Sequence, residues 1–111
     1  MQVVRTSFDR MDMRRERRYL TPVFEVTVAG RQFRSVNWSM SGLLLDGPCR
    51  GKAIGSRVEA ALAVSGSSRM LSFFAELVRQ DPQTGASALR FENIGTVGVD
   101  FLDRAVAHRL H

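Results

Sequence analysis

The chain is poor in several residue types at once, and each scarcity closes off a class of function. It has one cysteine, Cys49, so no internal disulfide can form. With only two histidines beside it, a structural zinc site has too few ligands. No apolar run approaches the roughly 20 residues that cross a bilayer as a helix, and membrane insertion is not expected. The first residues also lack the long apolar core of a secretory signal, so a cytoplasmic setting is the expectation. No Ser–His–acid arrangement, HExxH or phosphate-binding glycine loop is present. His108 and His111 lie near the end of the chain, where a solvated role is ordinary. Cys49 has Arg50 beside it, a reason for a lowered thiol pKa, although a lone loop cysteine is ordinarily incidental. The expectation is a non-enzyme without cofactor or metal.

Lysine is the most telling scarcity. Fifteen of the sixteen basic residues are arginine, and the net charge is +5 with a pI near 10.9. Such a balance favours anionic partners. Guanidinium forks bind phosphate bidentately and stack on aromatic bases, which ammonium groups do less well. Base composition of the genome accounts for a global arginine bias, but not for the cluster Arg14-Arg15-Glu16-Arg17-Arg18. That cluster has three readings: a solvated arm, a sequence-blind nucleic-acid contact, or one wall of a nucleotide pocket. The remaining basic charge is dispersed among eleven acids rather than gathered into further runs, which makes nucleic acid the weaker reading.

At 111 residues with 44% hydrophobic content, the chain suits one domain with a real core. Residues 1–19 read as a flexible basic arm. Pro22 is expected to open a strand in which Phe24, Val26 and Val28 alternate with polar residues, and Ala29-Gly30 turns the chain. Residues 31–39 return, with Val36 and Trp38 placed on one face and Asn37 and Ser39 on the other. Arg31 and Phe33 share the parity of Asn37 and Ser39 and would border a site there if no bulge intervenes. Strands are further expected at 42–46, 56–65, 69–80 and 86–93, separated by turns rich in Gly, Pro and Ser. Val99, Leu102, Val106 and Leu110 follow helical spacing, and Asp100 and Asp103 fall near the helix start. The pattern is all-β, a barrel or sandwich, with residues 20–94 as its body and 95–111 as a C-terminal helix.

One stretch stands out, Asn37-Trp38-Ser39-Met40-Ser41-Gly42. Asn37 supplies a donor and an acceptor and Ser39 a rotatable hydroxyl, both suited to base edges or phosphate oxygens. The indole of Trp38, the only one in the chain, suits the core. Tyr19 either anchors the arm or meets a ligand.

Arg-x-x-x-Arg (Arg14 to Arg18; Arg10 to Arg14 also fits) followed by Asn-x-Ser-x-x-Gly (Asn37, Ser39, Gly42) resembles the PilZ domain, a bacterial receptor module for cyclic di-GMP. The resemblance implies a six-stranded antiparallel β-barrel. It also implies an arm that folds over the ligand, and a conformational change that regulates an unidentified downstream protein controlling motility, exopolysaccharide or biofilm. Carried over, Arg14 and Arg18 are the arm contacts and Asn37, Ser39 and Gly42 the strand side, with Arg10, Arg15 and Arg17 nearby. Where the family often has Asp, this chain has Asn37, which changes the hydrogen bonds offered to guanine. A monomer is expected. The alternatives are a small basic barrel that binds RNA or DNA through its arm, and a PilZ-like protein-interaction module without ligand.

Overall fold

The computed structural model describes residues 16–109, apart from the side chains of 108 and 109. Arg10, Arg14, Arg15, Leu110 and His111 therefore lie outside the described residues, as do residues 1–15 of the expected flexible arm and the His108 side chain. Six strands form a closed antiparallel barrel, followed by one helix. They are β1 (Phe24–Val28), β2 (Arg31–Trp38), β3 (Gly42–Leu45), β4 (Arg57–Val64), β5 (Met70–Gln80) and β6 (Ser87–Glu92), and the helix is α1 (Gly95–Arg109). The order around the barrel is β1-β2-β3-β6-β5-β4, and β1 pairs with β4 to close it.

Alternation of apolar and polar residues sets which face turns inward. Phe24, Val26 and Val28 are buried on β1, Val58, Ala60 and Leu62 on β4, and Leu71, Phe73, Ala75 and Leu77 on β5. The β1–β2 connection is a two-residue turn between paired Val28 and Arg31. Both turn residues have positive φ, Ala29 at 51° and Gly30 at 80°, the backbone twist that matches paired strands. Strand 1 starts at Phe24 rather than Pro22, and its first N–H is captured by the buried Ser35 hydroxyl at 2.8 Å. A second buried hydroxyl, Ser87, accepts from the Cys49 N–H (3.0 Å) and donates to the Gly47 carbonyl (2.7 Å), which pins the β3–β4 connection.

Two β-bulges interrupt the alternation, and both matter for the outer surface. On β2, Ser35 pairs with Leu45 and Asn37 with Leu44, so Val36 is the extra residue. The inward positions consequently run Phe33, Ser35, Trp38, and Val36 is exposed. The expected shared face for Val36 and Trp38 is thus corrected, because one inserted residue shifts the phase of everything after it. On β5, Leu77 pairs with Leu89 and Arg79 with Ala88, which leaves Val78 as the insertion.

The helix keeps Leu102 and Val106 of the stripe that its apolar spacing suggested, but leaves Val99 outside it. Gly98, Leu102 and Ala105 face the barrel, with Phe101 and Val106 packed at the margin, whereas Val99 is 46% exposed. At Gly98 a Cβ would come within 2.5 Å of the Ile94 Cβ, so a residue without a side chain lets this turn close. Asp100 lies beyond the first turn and pairs with Arg104 (3.0 Å) instead of meeting the helix start.

Candidate functional site

Trp38 is the fixed point from which the site is built. Its side chain is fully buried, 4.7 Å from the Phe24 ring by centroid, and its indole N–H donates to the Pro22 carbonyl at 2.9 Å. The core role expected for it is the one it has. Tyr19 joins it from the arm side through a two-residue bridge to the end of β2. Of the two roles open to Tyr19, anchoring is the one visible. Arg18, the next residue outward, is thereby held beside the strand.

The Arg18 guanidinium spans the two halves of the sequence motif. Its Nε donates to Asn37 Oδ1 at 2.7 Å, and its Nη1 donates to Ser39 Oγ at 3.2 Å. Glu16 completes a small network: Ser41 Oγ donates to its carboxylate at 2.8 Å, and Arg18 Nη1 lies 4.0 Å from the same oxygen. The Asn37 side-chain NH2 makes no hydrogen bond among the described residues. Arg17 is exposed and makes no hydrogen bond or ion pair among them.

Ser39 and Gly42 sit differently from simple surface positions. Ser39 lies just past the end of β2 and is fully buried. Its hydroxyl accepts the Ser41 N–H at 3.2 Å and reaches the Gly42 carbonyl at 3.5 Å, which shapes the tight connection into β3. At Gly42 a Cβ would stand 2.1 Å from the Leu89 carbonyl oxygen, so only glycine lets β3 approach β6 this closely. Both residues thus have a folding role as well as a place in the motif.

A groove of about 760 Å³ runs over the outside of the barrel here, with Glu16, Arg18 and Asn37 at one side and Gly42, Leu44 and Ala88 along its floor. Phe33 does not border it. That ring keeps the inward phase of the strand, which the bulge breaks only between it and Asn37, and Arg31 is not among the lining residues. Two lining residues escaped the sequence reading, Arg79 on β5 and Arg90 on β6. Arg90 is paired with Glu76 at 2.5 Å. The signal for Arg79 was present: continuing the run Leu71, Phe73, Ala75, Leu77 puts an arginine at an inward position, which only a register shift resolves. Cys49 is 3% exposed, and burial pushes its thiol pKa up, with Ser87 and Lys52 acting weakly the other way. The lowering expected from Arg50 is overturned, because removing the thiolate from water outweighs nearby cations.

A closed six-stranded barrel with a C-terminal helix and an arm residue clasped to the end of β2 defines a small β-barrel domain class. No family model matches the sequence, and no curated protein does. Among solved structures, the chain is similar to the Bacillus subtilis inhibitor of motility (MotI/DgrA), with a TM-score of 0.67 and 16% identity over 86% of this chain and 50% of that one. It is also similar to the PilZ domain of CeSA from a cellulose-synthesizing bacterium, with a TM-score of 0.60 and 19% identity over 86% of this chain and 99% of that domain. The chain spans half the length of the first and nearly all of the second. At these identities the likeness is one of fold, and the fold is PilZ-like.

Proposed function

We propose that this domain binds cyclic di-GMP in the groove beside Arg18 and passes the binding on to a downstream protein through a conformational change of its arm. The observation that carries the reading is the Arg18 clasp on Asn37 and Ser39. It brings an arm guanidinium, an amide and a hydroxyl to one place beside an open groove. A cyclic dinucleotide has two phosphates and two flat purines, and these groups match both: guanidinium forks for phosphate, and amide and hydroxyl for a guanine edge. The side-chain NH2 of Asn37 supplies a donor that an aspartate would lack, directed by chemistry at guanine O6 or N7 rather than at its N–H groups. By the motif, Arg14 is assigned the second arm contact beside Arg18, and Arg10, Arg15 and Arg17 are assigned supporting phosphate contacts by their nearness in the arm. In this reading the domain is a binding module and not an enzyme.

The test is a side-by-side titration with cyclic di-GMP, GTP and a short single-stranded oligonucleotide at moderate salt. Saturable binding of cyclic di-GMP is expected, with GTP a poor competitor because it has a single base. Arg18→Ala should weaken binding about ten- to hundredfold, the loss of charge-assisted hydrogen bonds of about 1.5–3 kcal/mol. Amide exchange over residues 8–19 should slow on binding. Tight, steeply salt-dependent binding of the oligonucleotide with no response to cyclic di-GMP would replace this reading with the nucleic-acid one.

A further inference from the structure

The two β-bulges act on the same surface. Without the insertion at Val36, Asn37 would continue the inward phase of Phe33 and Ser35. Without the insertion at Val78, Arg79 would continue the inward phase of Ala75 and Leu77. Each bulge therefore turns one polar side chain out of the barrel, the re-aiming that such insertions produce next to binding sites. The strand register then ties the two together. Asn37 pairs with Leu44, Leu44 with Ala88, and Ala88 with Arg79. Asn37 and Arg79 thus close the two ends of one cross-strand row, and both line the groove described above.

We propose that Arg79 is a second anion-binding position of this groove, contacting a phosphate of a ligand that lies across β3 and β6 from Arg18 and Asn37. The proposal deepens the cyclic di-GMP reading and, for that particular ligand, rests on it. Three interstrand spacings, roughly 14 Å, separate the ends of the row. A single phosphate cannot touch both, whereas an elongated ligand with more than one anionic group can. The floor between them carries the small residues Gly42 and Ala88, which leave room for a flat group. Arg79 is exposed and makes no hydrogen bond or ion pair among the described residues. Asp81 is a neighbouring anion but forms no ion pair with Arg79, and the backbone N–H groups of Gln83 and Thr84 hold its carboxylate. Arg90 differs in that Glu76 already occupies its guanidinium.

The experiment compares the full chain with Arg79→Ala, Arg79→Lys and Arg18→Ala. Calorimetry with cyclic di-GMP is run beside NMR of the arginine Nε–Hε signals during addition of pyrophosphate. Arg79→Ala should lose about ten- to hundredfold in cyclic di-GMP affinity, Arg79→Lys should lose less, and thermal unfolding of both should match the parent. Pyrophosphate should shift the Arg79 signal. If cyclic di-GMP binds the parent and Arg79→Ala equally while Arg18→Ala fails, the Arg79 assignment is overturned and the receptor reading stands. If the parent ignores cyclic di-GMP, the receptor reading falls and pyrophosphate decides the rest. A saturable Arg79 shift then upholds the anion position, and an unmoved signal overturns it.

Discussion

Tyr19 and Trp38 hold each other by three contacts. The Tyr19 N–H donates to the Trp38 carbonyl at 2.7 Å, the Trp38 N–H donates to the Tyr19 carbonyl at 2.9 Å, and their rings lie 4.9 Å apart by centroid. The arm is thereby tied to a fully buried aromatic of the barrel one residue after Arg18. Whatever moves Arg18 pivots about a point that belongs to the core.

Stability and ligand capture should therefore fail together at Trp38. Trp38→Ala is expected to cost about 3–5 kcal/mol, the usual range for removing a buried aromatic. Trp38→Phe should cost less. It keeps most of the ring but leaves the Pro22 carbonyl without the indole donor, a loss of about 1–3 kcal/mol if no water replaces it. Urea unfolding of both variants checks this, and a Trp38→Ala protein within 1 kcal/mol of the parent would contradict the core assignment.

Ser39 and Gly42 should behave unlike Arg18 when substituted. Ser39→Ala removes a buried hydroxyl that accepts the part-buried Ser41 N–H, at a cost of about 0.5–1.5 kcal/mol. Gly42→Ala forces a Cβ against the Leu89 carbonyl and should cost about 1–3 kcal/mol or more as β3 and β6 are pushed apart. Arg18→Ala touches an exposed guanidinium and should stay within about 1 kcal/mol of the parent. Denaturation curves for the three variants give the order. Equal stability in all three would mean that the turn tolerates the changes and that the motif serves the ligand alone.

Cys49 should be slow to react and should matter at alkaline pH. Its folded-state pKa is raised by burial, so the neutral thiol is the form the fold favours. The sign follows directly: this contribution is complete below the unfolded thiol pKa of about 8.5. It is lost as pH rises through the higher folded value, because the unfolded chain then gains by ionising first. Labelling with a thiol reagent at neutral pH should be far slower in the native protein than in urea, and the unfolding midpoint should fall above pH 9. Equally fast labelling in both states would show that the thiol is accessible.

The barrel was legible because most strands keep a strict period of two, as in Leu71, Phe73, Ala75 and Leu77, and because turn residues punctuate them. What the sequence concealed was phase. Nothing in Val36 marks it as an inserted residue, since a valine suits either face of a strand, and at Val78 the one sign is the arginine that follows it. The wrong partners for Trp38 and Phe33, and the silence about Arg79, follow from that one ambiguity. The helix shows a related limit. Val99 fits an apolar stripe as well as Ala105 does, but the stripe is chosen by what fits against Ile94 and the barrel, where Gly98 and Ala105 flank Leu102 and Val99 stays exposed. In the candidate site, Arg18, Asn37 and Ser39 could be picked out by the resemblance to the PilZ motif, whereas the burial of Ser39 and the steric demand on Gly42 arise from contacts with β3 and β6 that no local pattern encodes.

The pairing of β1 with β4 leaves the sheet without a free lengthwise edge. A protein partner cannot recruit this barrel by extending it with a strand, the mode that open sheets offer. Recognition on the barrel itself has to be written in side chains displayed on a cylinder, where neighbouring strands contribute one residue each to any patch. An interface of that kind is discontinuous in sequence. Short peptides cut from single strands should therefore fail to compete for a partner that binds the barrel surface, and only substitutions scattered over several strands should map it.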